Sequence, residues 1–187
     1  MDLMEAIENR RSVRSYTGQR VERDQVEKLI RAAVQAPSAS NSQPWAFVVV
    51  QDEKLLGEYS TRAKEHLLAA IDRLPGLAKY QGMLANAAFN IFYGAGTLVI
   101  ICAKPGGMHV HGDCCLAAQN LMLAAHGLGL GTCWIGFATD FLNLPATKRE
   151  LGIPDGCSVV APIIVGYPRG RIPQLTRDEP EILSWRE

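Results

Sequence analysis

The sequence predicts a single α+β domain, and three observations support this fold class. Apolar runs typical of buried strands are interleaved irregularly with stretches of helical periodicity, whereas a doubly wound sheet would alternate them regularly. The chain has 187 residues, of which 48% are hydrophobic, enough for one sizeable core but few for two. No internal repeat or low-complexity segment is visible. We therefore expect one domain over residues 1–187.

Apolar residues at helical spacing predict helices over residues 2–9, 22–35, 53–72, 113–126 and 145–151. A further helical excursion is expected between Tyr80 and Tyr93, where the periodicity is weak. Asp113 is the predicted N-cap of the fourth helix, which runs to His126. Because that helix has almost no polar face, we expect it at the centre of the fold or of a subunit interface.

Short apolar runs bounded by turn residues predict strands over residues 45–50, 97–102, 132–135 and 159–165. The glycine-rich segment 127–131 precedes the third strand. A dinucleotide-binding glycine loop follows a strand and opens a helix, whereas this segment follows a helix and opens a strand. We interpret it as a helix stop with Gly127 near the C′ position.

Charge and cysteine content argue against several functions. Lys and Arg number 19, as do Asp and Glu, so no overall field favours nucleic acid or an anionic membrane. A basic leader and a long apolar segment are both missing, and we expect a cytoplasmic protein. The five cysteines include no Cys-x-x-Cys pair, and glycines around His109 and His111 favour a loop that leads to a cap. We therefore predict no metal site.

Three arginines and a serine follow the first helix closely, at Arg10, Arg11, Ser12 and Arg14. A solvated basic turn at a helix C-terminus is one explanation. In a chain without net charge, however, guanidinium groups this close repel one another unless an anion is bound, and their fork geometry suits a phosphate.

Amide and hydroxyl groups are concentrated just before the strand that begins at Trp45. The candidate binding residues are Pro37, Ser38, Ala39, Ser40, Asn41 and Gln43. Such a loop could simply hydrogen-bond to its own backbone. Alternatively, the donors and acceptors of its amide side chains match the edge of a polar heterocycle. With the arginines, they suggest a phosphorylated aromatic cofactor.

Two further segments contain weaker candidates. Gly136 ends the run that includes Trp134 and Ile135, and its missing side chain would let a ligand approach the backbone closely. Phe92 and Tyr93 are candidate substrate-pocket residues, although aromatic residues more often pack in a core.

The chain resembles the FMN-dependent nitroreductase family from end to end. The resemblance rests on residues 10–14, 37–45, 92–95, 131–136 and 166–168 and on Arg177. It implies a nitroreductase-like α+β fold with a central, mostly antiparallel sheet flanked by helices. It also implies an intertwined homodimer with FMN at each of two interface sites, in which helix 113–126 would form the dimer core.

The resemblance also implies roles for the candidate residues. Arg10, Arg11, Ser12 and Arg14 would hold the phosphate, ribityl chain and pyrimidine edge, and Arg177 would complete the phosphate grip. The 37–41 loop and Gln43 would come from the other subunit, and the backbone of residues 134–136 would reach the flavin N5 and O4 region.

The activity implied is ping-pong hydride transfer from NAD(P)H, through FMN N5, to a small-molecule acceptor such as a nitroaromatic or a quinone. No side-chain nucleophile is needed, and no catalytic residue is assigned, because the cofactor performs the redox step. The alternatives are a reductive dehalogenase, a flavin-consuming relative and a non-catalytic flavin-binding module.

Overall fold

A four-stranded antiparallel sheet forms the centre of the protein. The structure is a computed structural model that describes residues 2–73, 75–173 and 175–187. The strands are β1 (Trp45–Val50), β2 (Thr97–Ala103), β3 (Gly131–Trp134) and β4 (Ser158–Gly166). They lie in the order β1-β2-β4-β3, and each neighbouring pair is antiparallel. The predicted α+β class and antiparallel sheet are confirmed.

Helices cover both faces of this sheet. In the described ranges they are α1 (Leu3–Asn9), α2 (Arg23–Ala33), α3 (Glu53–Ala69), α4 (Gln81–Ala85), α5 (Val110–Gly127), α6 (Gly136–Leu142) and α7 (Pro145–Glu150). Short 3-10 turns lie at Ala39–Asn41, Ile71–Arg73 and Pro75–Tyr80. None of the helices in these ranges is both long enough and apolar enough to cross a lipid bilayer.

Alternation along β2 divides the core into two layers. Leu98 and Ile100 pack with α3 and α6, whereas Val99 and Ile101 pack with α2 and α5. Every residue of β2 is therefore buried, as expected for a central strand covered on both sides.

The predicted limits of the buried helix are wrong by several residues at its start. α5 begins at Val110 with His109 as its N-cap, and Asp113 lies inside the first turn. The Asp113 carboxylate does not cap the helix but accepts a hydrogen bond from the distant Ala39 N–H. At the other end, Gly127 is still helical, and the left-handed residue is Gly129, with φ 74°.

The helix α6 has no counterpart among the predicted elements. It is only seven residues long and follows β3 after a single residue, Ile135. Because Phe137 and Ala138 extend an apolar run that starts in the strand, the change from strand to helix has no clear periodic signal.

Two glycines allow the segment after α1 to lie directly on the sheet. Gly131 and Gly166 are paired across β3 and β4. A Cβ on Gly131 would lie 2.7 Å from Val13 Cγ2, and a Cβ on Gly166 would lie 2.7 Å from Tyr16 Cδ1. The Val13 N–H donates to the Thr132 carbonyl at 2.8 Å, which fixes the segment in this groove.

We predict that Gly131→Ala destabilises the fold and displaces the 10–16 segment. The new methyl group would overlap the Val13 Cβ and Cγ2 atoms, and overpacking of this kind costs about 1–3 kcal/mol. The matched control is Gly57→Ala in α3, where nothing lies near the added methyl group and alanine favours the helix. Thermal unfolding should show a lower midpoint for Gly131→Ala only; equal midpoints would contradict the close-packing argument.

Candidate active site

The 10–14 segment places its odd and even residues on opposite sides. Val13 is buried against Gly131, and Arg11 lies on the same side of the segment, along a second cleft that also contains His126. Arg14 lines a different cavity, and Ser12 lies close enough to the Cys133 thiol, which lines that cavity as well, to lower the pKa of the thiol. The structure thus groups Ser12 with Arg14 and turns Arg11 away from them.

Arg10 and Arg177 come together although they are far apart in the sequence. The pKa of Arg10 is lowered, first by burial and then by repulsion from Arg177 and Arg11. Arg177 of the tail is therefore within electrostatic range of Arg10. The three guanidinium groups create a local excess of positive charge in a protein with no net charge.

The Arg11 side chain stabilises the end of α1. Its Nη1 group donates to the carbonyl oxygens of Glu8 and Arg10, which lie at the C-terminus of that helix. Its Nε atom is buried and has no hydrogen-bond partner among the described residues. The pKa of nearby His126 is lowered by burial and by the charges of Arg10 and Arg11.

A cavity of about 460 Å³ lies beside Arg14. Three predicted binding residues line it with Arg14, namely Trp134, Ile135 and Gly136, and so do Leu67, Leu77, Ile91, Tyr93, Cys133, Phe137 and Asp140. Its size is within the range of small-molecule sites, and its walls are largely apolar and aromatic. The Arg14 guanidinium group, the Asp140 carboxyl group and the backbone at the start of α6 are its polar parts.

Tyr93 and Phe92 occupy different environments. Tyr93 lines the cavity, and its ring centroid is 6.0 Å from the Arg14 guanidinium carbon. The pKa of Tyr93 is raised by burial, and Arg14 opposes this effect. Phe92 is fully buried in the core and is not among the residues that line the cavity.

Cys133 is a cavity residue that sequence reasoning treated only as part of a strand. Burial raises the pKa of its thiol, while Arg14, the Ser12 hydrogen bond and Arg10 oppose the shift. Cys133 is the first of four consecutive residues, 133–136, that all line the cavity, so strand alternation gave no signal for it.

The polar loop at 37–43 has a strained backbone and lies away from this cavity. Ser40, Asn41 and Gln43 have φ values of 53°, 52° and 46°, in the left-handed region that glycine usually occupies. In the described part of the chain, the residues that line the Arg14 cavity include none from this loop. One chain therefore does not bring the two predicted clusters together.

Asp113 and Ser38 hold the loop in its strained conformation. Both carboxylate oxygens of Asp113 lie 3.3 Å from the Ala39 nitrogen, and Asp113 is buried. The Ser38 hydroxyl accepts a hydrogen bond from the Gln43 N–H at 3.0 Å. The sequence analysis assigned Asp113 to a helix cap. Only the packing of α5 beside the loop shows that its partner is the Ala39 N–H.

Comparison with known proteins identifies the family. The model of the Nitroreductase family matches residues 7–167, and the chain belongs to this family. A protein of Archaeoglobus fulgidus, named provisionally as an NADH dehydrogenase/NAD(P)H nitroreductase, is 31% identical over 174 residues, covering 90% of this chain and 86% of its own. The chain is thus an oxidoreductase of the nitroreductase family, and the resemblance inferred from its motifs is confirmed.

Two other proteins are similar over most of their length. The nitrobenzene nitroreductase of Ectopseudomonas oleovorans is 28% identical over 203 residues, covering 90% of this chain and 87% of its own. The crystal structure of a nitroreductase from Bacteroides fragilis with bound FMN has a TM-score of 0.87 at 27% identity, and the match covers 100% of both chains.

We predict that Asp113→Ala loosens the 38–43 loop. Removal of the buried acceptor leaves the Ala39 N–H without its partner, and a lost hydrogen bond to a charged group costs about 1.5–3 kcal/mol. Hydrogen exchange of residues 39–43 should accelerate, whereas Asp113→Asn, which keeps an acceptor oxygen, should show a smaller increase. Unchanged exchange in Asp113→Ala would show that the carboxylate does not hold the loop.

Proposed function

We propose that this protein is an FMN-dependent NAD(P)H oxidoreductase that reduces nitroaromatics, quinones or related electrophiles. The observation that supports this function most directly is the Arg14 cavity, where a guanidinium group and the backbone of residues 134–136 meet, with the charge of Arg10 acting on the lining residue Cys133. Membership of the nitroreductase family, in which the Bacteroides fragilis structure contains FMN, supports the choice of cofactor.

The arginine cluster suits the phosphate of FMN. Burial lowers the pKa of Arg10 first, and the charges of Arg177 and Arg11 lower it further; a bound dianion would offset both effects. Ser12 adds a hydroxyl donor on the same side of the segment. Arg11 contributes its charge from the end of α1, where its Nη1 group is already hydrogen-bonded.

The Arg14 cavity suits the flavin ring. Gly136 opens α6, and backbone N–H groups in the first turn of a helix lack helical acceptors. Its missing side chain lets a flat ring approach those groups and the backbone of Trp134 and Ile135. Arg14 would lie near the N1 and O2 side of the ring, where negative charge develops on reduction.

When bound, FMN would supply the redox chemistry, a ping-pong hydride transfer through N5 between NAD(P)H and the acceptor. The protein supplies orientation and electrostatics. Arg14 would stabilise negative charge on a flavin ring bound in the cavity, and Tyr93 forms a wall of the cavity against which a flat acceptor can pack. Phe92 supports this wall from the core, where it is fully buried.

The site is completed by a second copy of the chain, in a homodimer. Residues Pro37, Ser38, Ala39, Ser40, Asn41 and Gln43 would reach the ring from the partner. Within one chain, none of these residues is among the described ones that line the Arg14 cavity, which supports this arrangement. The unpaired apolar surface supports it too, because Leu3, Met4, Leu116, Leu183 and Trp185 are 67%, 59%, 47%, 88% and 75% exposed.

Anaerobic reduction tests the proposed function. Purified protein should be yellow and should release a flavin that matches FMN when heated. Its absorbance should bleach on mixing with NADH or NADPH and recover on addition of a nitroaromatic or a quinone. Bound FMN that neither donor bleaches would exclude the oxidoreductase and favour a binding module, and halide release from a halogenated aromatic would favour a dehalogenase.

We predict that Arg14→Ala weakens FMN retention and lowers the flavin reduction potential. The reduced ring would lose its nearest cation, so the oxidised form would become relatively more stable. Arg31→Ala serves as a control, since the Arg31 side chain is 76% exposed on α2 and, among the described residues, forms an ion pair with Glu27 alone. Retention and potential equal to those of the control would remove Arg14 from the site.

Mixed dimers test whether the two clusters come from different chains. Ser38→Asp and Arg10→Ala should each impair both sites of their own homodimer. If each site takes Arg10 from one chain and Ser38 from the other, a heterodimer of the two variants contains one doubly altered site and one intact site. Titration should then recover one FMN per dimer. A heterodimer that binds no FMN would place both clusters in the same chain.

A further inference from the structure

Helix α3 buries two polar side chains that point at the same neighbouring segment. Ser60 and Lys64 lie one turn apart on the helix and are only 3% and 7% exposed. The Ser60 hydroxyl accepts a hydrogen bond from the Ile91 N–H at 3.0 Å. Lys64 Nζ donates to the carbonyl oxygens of Asn86 at 3.0 Å and Phe89 at 2.6 Å.

A buried ammonium group needs compensation for its lost hydration. The hydrogen bonds that Lys64 makes both go to backbone carbonyl groups of the segment between α4 and β2. Both carbonyl groups lie outside regular secondary structure, and the Asn86 carbonyl also accepts a hydrogen bond from the Phe89 N–H at 3.1 Å. The ammonium group therefore fixes the path of this segment against α3.

The segment ends in a strained residue at the cavity wall. Tyr93 has a φ of 53°, and Gly94 follows it with a φ of 69°. A left-handed conformation at a bulky residue persists only where the surroundings impose it. Here the Tyr93 N–H donates to the Asn90 carbonyl at 2.9 Å, in a turn that begins one residue after Phe89, whose carbonyl Lys64 contacts.

Aromatic contact extends the anchor from Lys64 to the cavity. The Phe89 ring meets the Tyr93 ring edge-on, with centroids 5.6 Å apart. Tyr93 in turn lies against the Arg14 guanidinium group in the cavity. Lys64 thus contacts Phe89, which packs on Tyr93. Lys64 itself is not among the described residues that line the cavity.

We propose that Lys64 is a positioning residue: it holds the 86–93 segment so that Tyr93 stays at the wall of the cavity, where a flat electron acceptor binds. This proposal rests on the proposed function for the identity of the acceptor. The anchoring itself depends only on contacts within one chain. Its loss affects acceptor binding first, because the arginine cluster that holds the cofactor phosphate is built by other elements.

The chain provides a closely matched control for the test. Lys148 is also 7% exposed, and its Nζ atom donates to a backbone carbonyl, that of Asp155, at 2.6 Å. It lies in α7 and does not line the Arg14 cavity. Lys64→Met and Lys148→Met therefore remove the same group from similarly buried sites and differ in what that group holds.

The experiment compares holoprotein of the wild type and both variants. Hydrogen exchange over residues 86–93 should accelerate in Lys64→Met and not in Lys148→Met. With nitrobenzene as acceptor, the apparent KM should rise roughly fivefold to tenfold in Lys64→Met, the scale of one lost hydrogen bond. The fraction of bound FMN should stay at the wild-type value. Adding Lys64→Met to Tyr93→Ala should raise this KM no further.

Each result supports or overturns a defined part of the proposal. Equal exchange in the two lysine variants would overturn the anchoring, and faster exchange with an unchanged KM would overturn the positioning of Tyr93 for the acceptor. Wild-type protein that no NAD(P)H reduces would instead overturn the proposed function, and the exchange comparison would still decide the anchoring. If Lys64→Met does not fold, Ser60→Ala, which removes the adjacent hydrogen bond to Ile91, replaces it in both measurements.

Discussion

The close contact between residues 12–16 and the β3–β4 pair determines the geometry of the candidate site. Gly131 and Gly166 leave the space into which Val13 and Tyr16 pack, and the Tyr16 hydroxyl donates to the Val13 carbonyl at 2.7 Å. The same contact sets which side chains of the segment face the cavity. If the 12–16 segment shifted by one residue along the sheet, a residue of its opposite face would replace Arg14 at the cavity. The electrostatic arrangement of the site therefore depends on this fit.

Local electrostatics in a neutral chain explains why the cluster is suited to an anion. Arg10 and Arg177 stay close in spite of their repulsion because the sheet contact fixes one and the returning tail brings the other. A phosphate bound among these guanidinium groups would offset their like charge, and this favours binding without any contribution from overall charge. The outward-facing apolar residues of α1, α5 and the tail supply the surface for the proposed partner chain.

Buried polar side chains fix the irregular segments that the sheet does not hold. Asp113 holds the 38–43 loop, and Ser60 and Lys64 hold the segment that leads to Tyr93. Both segments contain non-glycine residues with left-handed backbone, at Ser40 and Tyr93 among others. Strain and buried anchors thus occur together, as expected where a fold must impose a conformation that the sequence does not prefer.

The sequence by itself determined the helices and strands with strong periodicity, the local concentration of arginines and the polar loop before Trp45, because these signals depend on neighbouring residues. Tertiary structure decided which distant groups meet. It separated Arg11 from Arg14, brought Arg177 to Arg10, and gave Asp113 a loop to hold instead of a helix to cap. Such pairings follow from how helices pack on the sheet, and no periodicity within a short window encodes them.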